Sequence, residues 1–134
     1  MTTSANDVIT VSVPPETGSV QVLRAVTASV AARLHMPFDG IEDLRLAVDE
    51  ACAWLLTSSK GATSMTLRLR PMNDRLEAVV AIDAADRTWP PLDAEQSLSW
   101  RVLTALVDSL SLDADPSAPS IRLTKRTLEQ SRTR

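Results

Sequence analysis

Asp49 and Glu50 are adjacent carboxylates whose type could serve general-base chemistry, although carboxylates on helices are usually just solvated. Glu50 stands in a sixteen-residue stretch from Ile41 to Leu56 where Leu44, Val48, Ala51 and Leu55 recur at helical spacing and build one apolar face. Glu50 lies off that face, and a carboxylate so placed can act as a general base. Its neighbour Asp49 is not read as a partner, because adjacent side chains on a helix diverge by about 100°. The chain has a single histidine, His35, and a single cysteine, Cys52. That is too few ligands for a zinc site, and metal held by side chains alone is not expected. No internal disulfide is available, and Cys52 reads as a small packed hydrophobe rather than a redox switch. His35, near the end of a helical run, reads as a partner of the helix dipole. No Gly-x-Ser-x-Gly elbow is present, and three glycines leave no glycine-rich phosphate loop.

The elements that must position Glu50 follow from hydrophobic period. Asp39 with Glu42 three residues on forms an acidic capping box, so the central helix is expected to run from about Gly40 to about Ser58, before Gly61. Upstream, residues 8–13 are β-branched and alternate until Pro14-Pro15 stops them, a first strand. Val20, Leu23, Val30 and Leu34 then keep a helical period, capped by Thr17 or Ser19 and ended by Pro37. Downstream, residues 63–70 alternate as a half-buried strand with Thr66, Arg68 and Arg70 on a wet face. Residues 76–82 are its antiparallel and more central partner. From Asp83 to Gln96 the pattern has no period, a loop long enough to suspect function. Leu98, Val102, Leu103, Leu106, Val107 and Leu110 predict another helix, begun by Ser97 or Ser99. Residues 111–115 and 120–125 predict a last hairpin turning at 116–118. The order β-α-α-β-β-α-β-β lacks strict alternation. It predicts an α/β fold, a two-layer sandwich with a mixed, mostly antiparallel sheet and helices on one face.

With 134 residues, 44% of them hydrophobic, the chain is expected to form one domain over 1–134, with 127–134 a flexible tail. A net charge of −3 argues against a nucleic-acid backbone binder. The one basic patch is at 121–134, which carries +4 and leaves −7 for the rest. No apolar run approaches the ~20 residues that span a bilayer, and no cleavable leader is recognisable, so a cytoplasmic protein is expected.

The segment Leu44-Arg-Leu-Ala-Val-Asp-Glu-Ala-Cys52 closely resembles the helix of the anti-sigma-factor serine kinases of the RsbW and SpoIIAB type. These are small bacterial members of the histidine-kinase-like, Bergerat-fold ATPases, and the resemblance covers almost the whole chain. It implies a homodimeric partner-switching regulator. Such a protein holds a sigma factor of RNA polymerase inactive, and phosphorylates an antagonist (anti-anti-sigma) protein with ATP and magnesium. The resemblance makes Glu50 the general base toward the antagonist serine. Four residues on, the family has a magnesium-binding asparagine and this chain has Trp54. An indole offers an N–H donor and no oxygen to a hard cation.

Asp83 matches the aspartate that reads adenine, but Ala85 stands at a glycine position. The second glycine motif aligns with Ser97-Leu-Ser99, and Trp89 and Trp100 replace small residues of the lid. The reading is an anti-sigma factor with weakened or lost ATP binding. An active serine kinase and a non-enzymatic dimeric scaffold are the alternatives. The wet strand face or the first helix is expected to supply the dimer surface.

Overall fold

The computed structural model describes residues 7–84, 89–113 and 118–127, and these form a two-layer α/β sandwich. The elements are β1 (Ile9–Val13), α1 (Val20–Arg33), α2 (Phe38–Ser58), β2 (Ala62–Pro71), β3 (Arg75–Ala84), α3 (Leu98–Leu106), β4 (Ser109–Asp113) and β5 (Ser120–Arg126). The sheet runs β1-β2-β3-β5-β4, and every pairing is antiparallel rather than mixed. Alternation sets its two faces. Met65, Leu67 and Leu69 of β2, Leu76, Ala78, Val80 and Ile82 of β3, and Ile121 and Leu123 of β5 point into the core under the helices. Each such aliphatic side chain contributes roughly 1.5–3 kcal/mol by leaving water. On the other face Arg70 and Arg122, from strands either side of β3, reach Glu77 at 3.3 and 3.8 Å. No helix among the described residues is long and apolar enough to cross a membrane.

Three boundaries differ from the sequence expectation, each for a local reason. α2 begins at Phe38 with Pro37 as N-cap, two residues before the expected Asp39 cap; the Ile41 N–H donates to the Pro37 carbonyl at 3.0 Å. Proline has no N–H to lose there and its φ suits a helix entrance. Asp39 instead lies in the first turn, where a carboxylate favours the positive helix end. α3 ends at Leu106, so Val107 and Leu110 are not helical, and β4 occupies 109–113 rather than 111–115. Leu110 and Leu112 are the inward pair of a strand that happens to extend the helical spacing of Leu103 and Leu106. The expected turn at 116–118 and residues 114–115 lie mostly outside the described residues, as do 128–134. Thr127, the first residue of the expected tail, is buried, and its N–H donates to the Asp74 carbonyl at 3.0 Å.

His35 adopts φ 62° immediately after α1; its N–H donates to the Ala32 carbonyl, and that of Met36 to the Ala31 carbonyl at 3.1 Å. This left-handed closure satisfies carbonyls that the last turn leaves free, and buried Met36 seals it. A second lock joins the layers. The Lys125 ammonium, 18% exposed, donates to the Leu106 carbonyl at 2.9 Å and to Asp43 Oδ2 at 3.2 Å, tying β5 to both α3 and α2. Lys125→Met keeps the stem and orphans the carbonyl. Its expected cost is about 2 kcal/mol, since the Asp43 arm is partly solvated and contributes little. Urea unfolding of the two chains measures it.

Candidate functional site

Glu50 sits in the fourth turn of α2, on the side that meets α3. It is half-buried, and its Oε2 accepts a hydrogen bond of 2.7 Å from the Ser99 hydroxyl. Ser99 is held there because Ser97 caps α3. The Ser97 hydroxyl oxygen accepts the Trp100 N–H at 3.1 Å and donates to the Ala94 carbonyl at 2.7 Å. The two serines therefore serve the helix end and Glu50. Asp49 turns to the other neighbour, accepting from Arg24 Nη1 of α1 at 3.4 Å. Both carboxylates nevertheless border one groove between α2 and α3, of about 450 Å³, whose other walls are Leu46, Ala53, Val102, Ala105 and Leu106. Leu46 is 49% exposed within it.

One turn beyond Glu50, Trp54 is 7% exposed, and Trp89 packs against it edge to face with ring centroids 5.2 Å apart and planes at 75°. Trp89 is itself 6% exposed, and its Nε1–H has no partner among the described residues. Aromatic pairs favour this geometry because the positive ring edge meets the negative face. The pair fills the space between α2 and the segment following β3. Asp83, at the end of β3, is exposed. Its carbonyl accepts from the Thr63 hydroxyl at 3.2 Å, and no described contact joins its carboxylate to Glu50 or Trp54. Ala85 lies outside the described residues. Trp100 is not part of the loop but the third residue of α3. No group of three or more metal-ligating acids, histidines or cysteines exists among the described residues.

The sequence reading singled out Glu50, Trp54, Ser97, Ser99, Asp83 and Ala85. The structure brings Glu50 to Ser99 and Trp54 to Trp89. The Glu50–Ser99 bond was not foreseen. Two signals for these contacts existed: a serine at the N-terminal turn of an amphipathic helix, and a tryptophan in an otherwise polar loop.

Cys52 is fully buried on the core side of α2. Burial first, and the charge of Asp49 second, push its thiol from 9.0 up to about 12. Below pH 9 both folded and unfolded chains keep this proton, so stability is unaffected. Above it the unfolded chain ionises while the folded one does not. Stability therefore falls by about 1.4 kcal/mol per pH unit through the window up to about 12. Cys52→Ala is expected to abolish that slope, seen as urea midpoints of the two proteins converging from pH 9 to 11; parallel curves would contradict it.

The element order and the antiparallel sheet under the helices define a two-layer α/β sandwich, and residues 13–125 match the family described as Histidine kinase-like ATPase domain. The chain belongs to that family. Within it the curated relatives carry one name in two forms. The chain is 34% identical over 126 residues to the anti-sigma-F factor RsbW of Mycobacterium tuberculosis, covering 80% of this chain and 72% of that protein. It is 34% identical over 84 residues to the serine-protein kinase RsbW of Bacillus velezensis, covering 60% and 52%. It is also 28% identical over 126 residues to the serine-protein kinase RsbW of Halalkalibacterium halodurans, covering 81% and 77%.

Proposed function

We propose that this protein is an anti-sigma factor that works by binding, with its ATP chemistry weakened or lost. It holds a sigma factor of RNA polymerase and releases it when an anti-anti-sigma antagonist competes. It acts as a cytoplasmic homodimer of a single domain and needs no contact with nucleic acid. The relatives' names supply the class of partner. The observation that carries the loss of chemistry is the Trp54–Trp89 pair. Two interlocked indoles offer N–H donors and apolar surface where magnesium would need oxygen ligands and triphosphate would need room. Mg-ATP does not fit these residues. Glu50 is also engaged by Ser99, so it stands as a hydrogen-bond acceptor that fixes α3 against α2. In the alternative reading, an active serine kinase, Glu50 would take the proton of the antagonist serine.

Melting with 1 mM Mg-ATP separates the two. Micromolar affinity would stabilise the fold by about 4 kcal/mol, which for a chain of this size raises the midpoint by about 15 °C. The expected shift is below about 1 °C on the same scale. Affinity capture from the source cell is expected to recover a sigma factor, and γ-labelled ATP is expected to leave the co-purified antagonist unlabelled. Label transfer abolished by Glu50→Gln would establish the kinase instead, and capture without a sigma factor would establish a scaffold.

A further inference from the structure

A cavity of about 520 Å³ lies not at Glu50 but beyond α3, under the edge of the sheet. Pro90, Pro91 and Leu92 form one wall, and Trp100, Leu110 and Leu112 form the other. Leu92 is fully exposed at its lip and continues the apolar wall outward. Asp93 and Glu95 stand on the rim, both exposed, and among the described residues no lysine or arginine lines the groove. Directly beside it runs β4, last in the strand order and paired, among the described residues, only with β5. Alternate residues of β4 therefore direct backbone N–H and C=O groups away from the sheet. The strand, Ser109-Leu-Ser-Leu-Asp113, contains none of the lysines or prolines that usually block pairing at an edge. The opposite edge, β1, runs into Pro14-Pro15.

From the free edge, the apolar groove and the acidic rim together, we infer that β4 receives an extended segment of a partner protein. The segment is apolar at alternate positions and flanked by lysine or arginine. Added antiparallel or parallel to β4, its backbone completes the edge, and every second side chain falls on the same face as Leu110 and Leu112, into the groove. The flanking cations meet Asp93 and Glu95. This surface is separate from the groove that holds Glu50, and the inference does not rest on the function proposed above.

Fluorescence anisotropy of the full chain tests it, with a labelled peptide in which a hexamer of alternating threonine and valine lies between lysine pairs. Saturable binding is expected, weakened at least tenfold, about 1.4 kcal/mol, when the flanks become glutamate or a proline breaks the hexamer. Leu92→Ser is expected to weaken it about fivefold without moving the melting midpoint, as suits the loss of one exposed apolar contact. The double variant Asp93→Lys/Glu95→Lys is expected to reverse the preference, taking the glutamate-flanked peptide instead. No saturable binding, or binding indifferent to proline and to the rim charges, overturns the inference. So does concentration-dependent self-association that Leu92→Ser abolishes, which would assign the groove to a second copy of the chain.

Discussion

Replacing Trp54 by alanine is expected to destabilise the protein by about 3–5 kcal/mol, among the largest effects of any single substitution in the chain. The side chain is 7% exposed and stands against a second indole, so its removal leaves a void that no neighbour is positioned to fill. At about 4 °C per kcal/mol for a domain of this size, the melting midpoint falls by about 12 °C or more. Trp89→Ala is expected to cost somewhat less, because its Nε1–H is already unpaired and the penalty of that orphan disappears with the ring. The double variant is expected to fall short of the sum by about 1 kcal/mol, the coupling of an edge-to-face pair. Simple additivity would show that the rings merely occupy adjacent space. Trp54→Phe keeps a ring edge toward Trp89 and should recover much of the loss.

The elements with one clear period were legible in the sequence. Leu44, Val48, Ala51 and Leu55 admit only a helix, and Met65, Leu67 and Leu69 admit only a strand. These local patterns, with the turn that follows Pro71, also pair β2 with β3 and set β3 towards the middle of the sheet, as the strand order has it. The α3–β4 junction was not legible. Leu103, Leu106, Val107 and Leu110 satisfy the helical spacing, while Leu110 and Leu112 satisfy the strand. The chain leaves the helix where Lys125, nineteen residues on, captures the Leu106 carbonyl. That is a tertiary contact with no local trace. The same holds at the site. Glu50 was marked by its motif, but its partner Ser99 lies 49 residues away, and the Trp54–Trp89 pair joins a helix to a loop that has no period of its own. Long-range pairing of polar and aromatic side chains depends on how layers are stacked, and composition does not encode it.

The antagonist that displaces the sigma factor, in the function proposed here, is expected to bind Leu46→Lys about 100-fold more weakly than the parent chain. Leu46 is half-exposed at the centre of the α2–α3 groove, flanked by Asp49 and Glu50, and its unburied half is available to a partner. Covering it contributes roughly 1.5 kcal/mol, and an ammonium trapped in its place costs a further 1–2 kcal/mol. Together these approach the 3 kcal/mol that two decades of affinity require. Lysine suits an exposed helix position, and Glu50 lies four residues on, so the melting midpoint should stay within about 2 °C of the parent. Leu46→Met, with similar volume, is expected to bind nearly as the parent does. Leu98→Lys, a substitution at an exposed leucine outside the groove, should leave affinity unchanged. Titration calorimetry with the captured antagonist reads all three. If Leu46→Lys binds within threefold of the parent while Leu98→Lys loses affinity, the antagonist docks elsewhere, and Glu50 has only the structural task of holding Ser99. If the groove variant alone fails, the α2–α3 groove is where the antagonist docks.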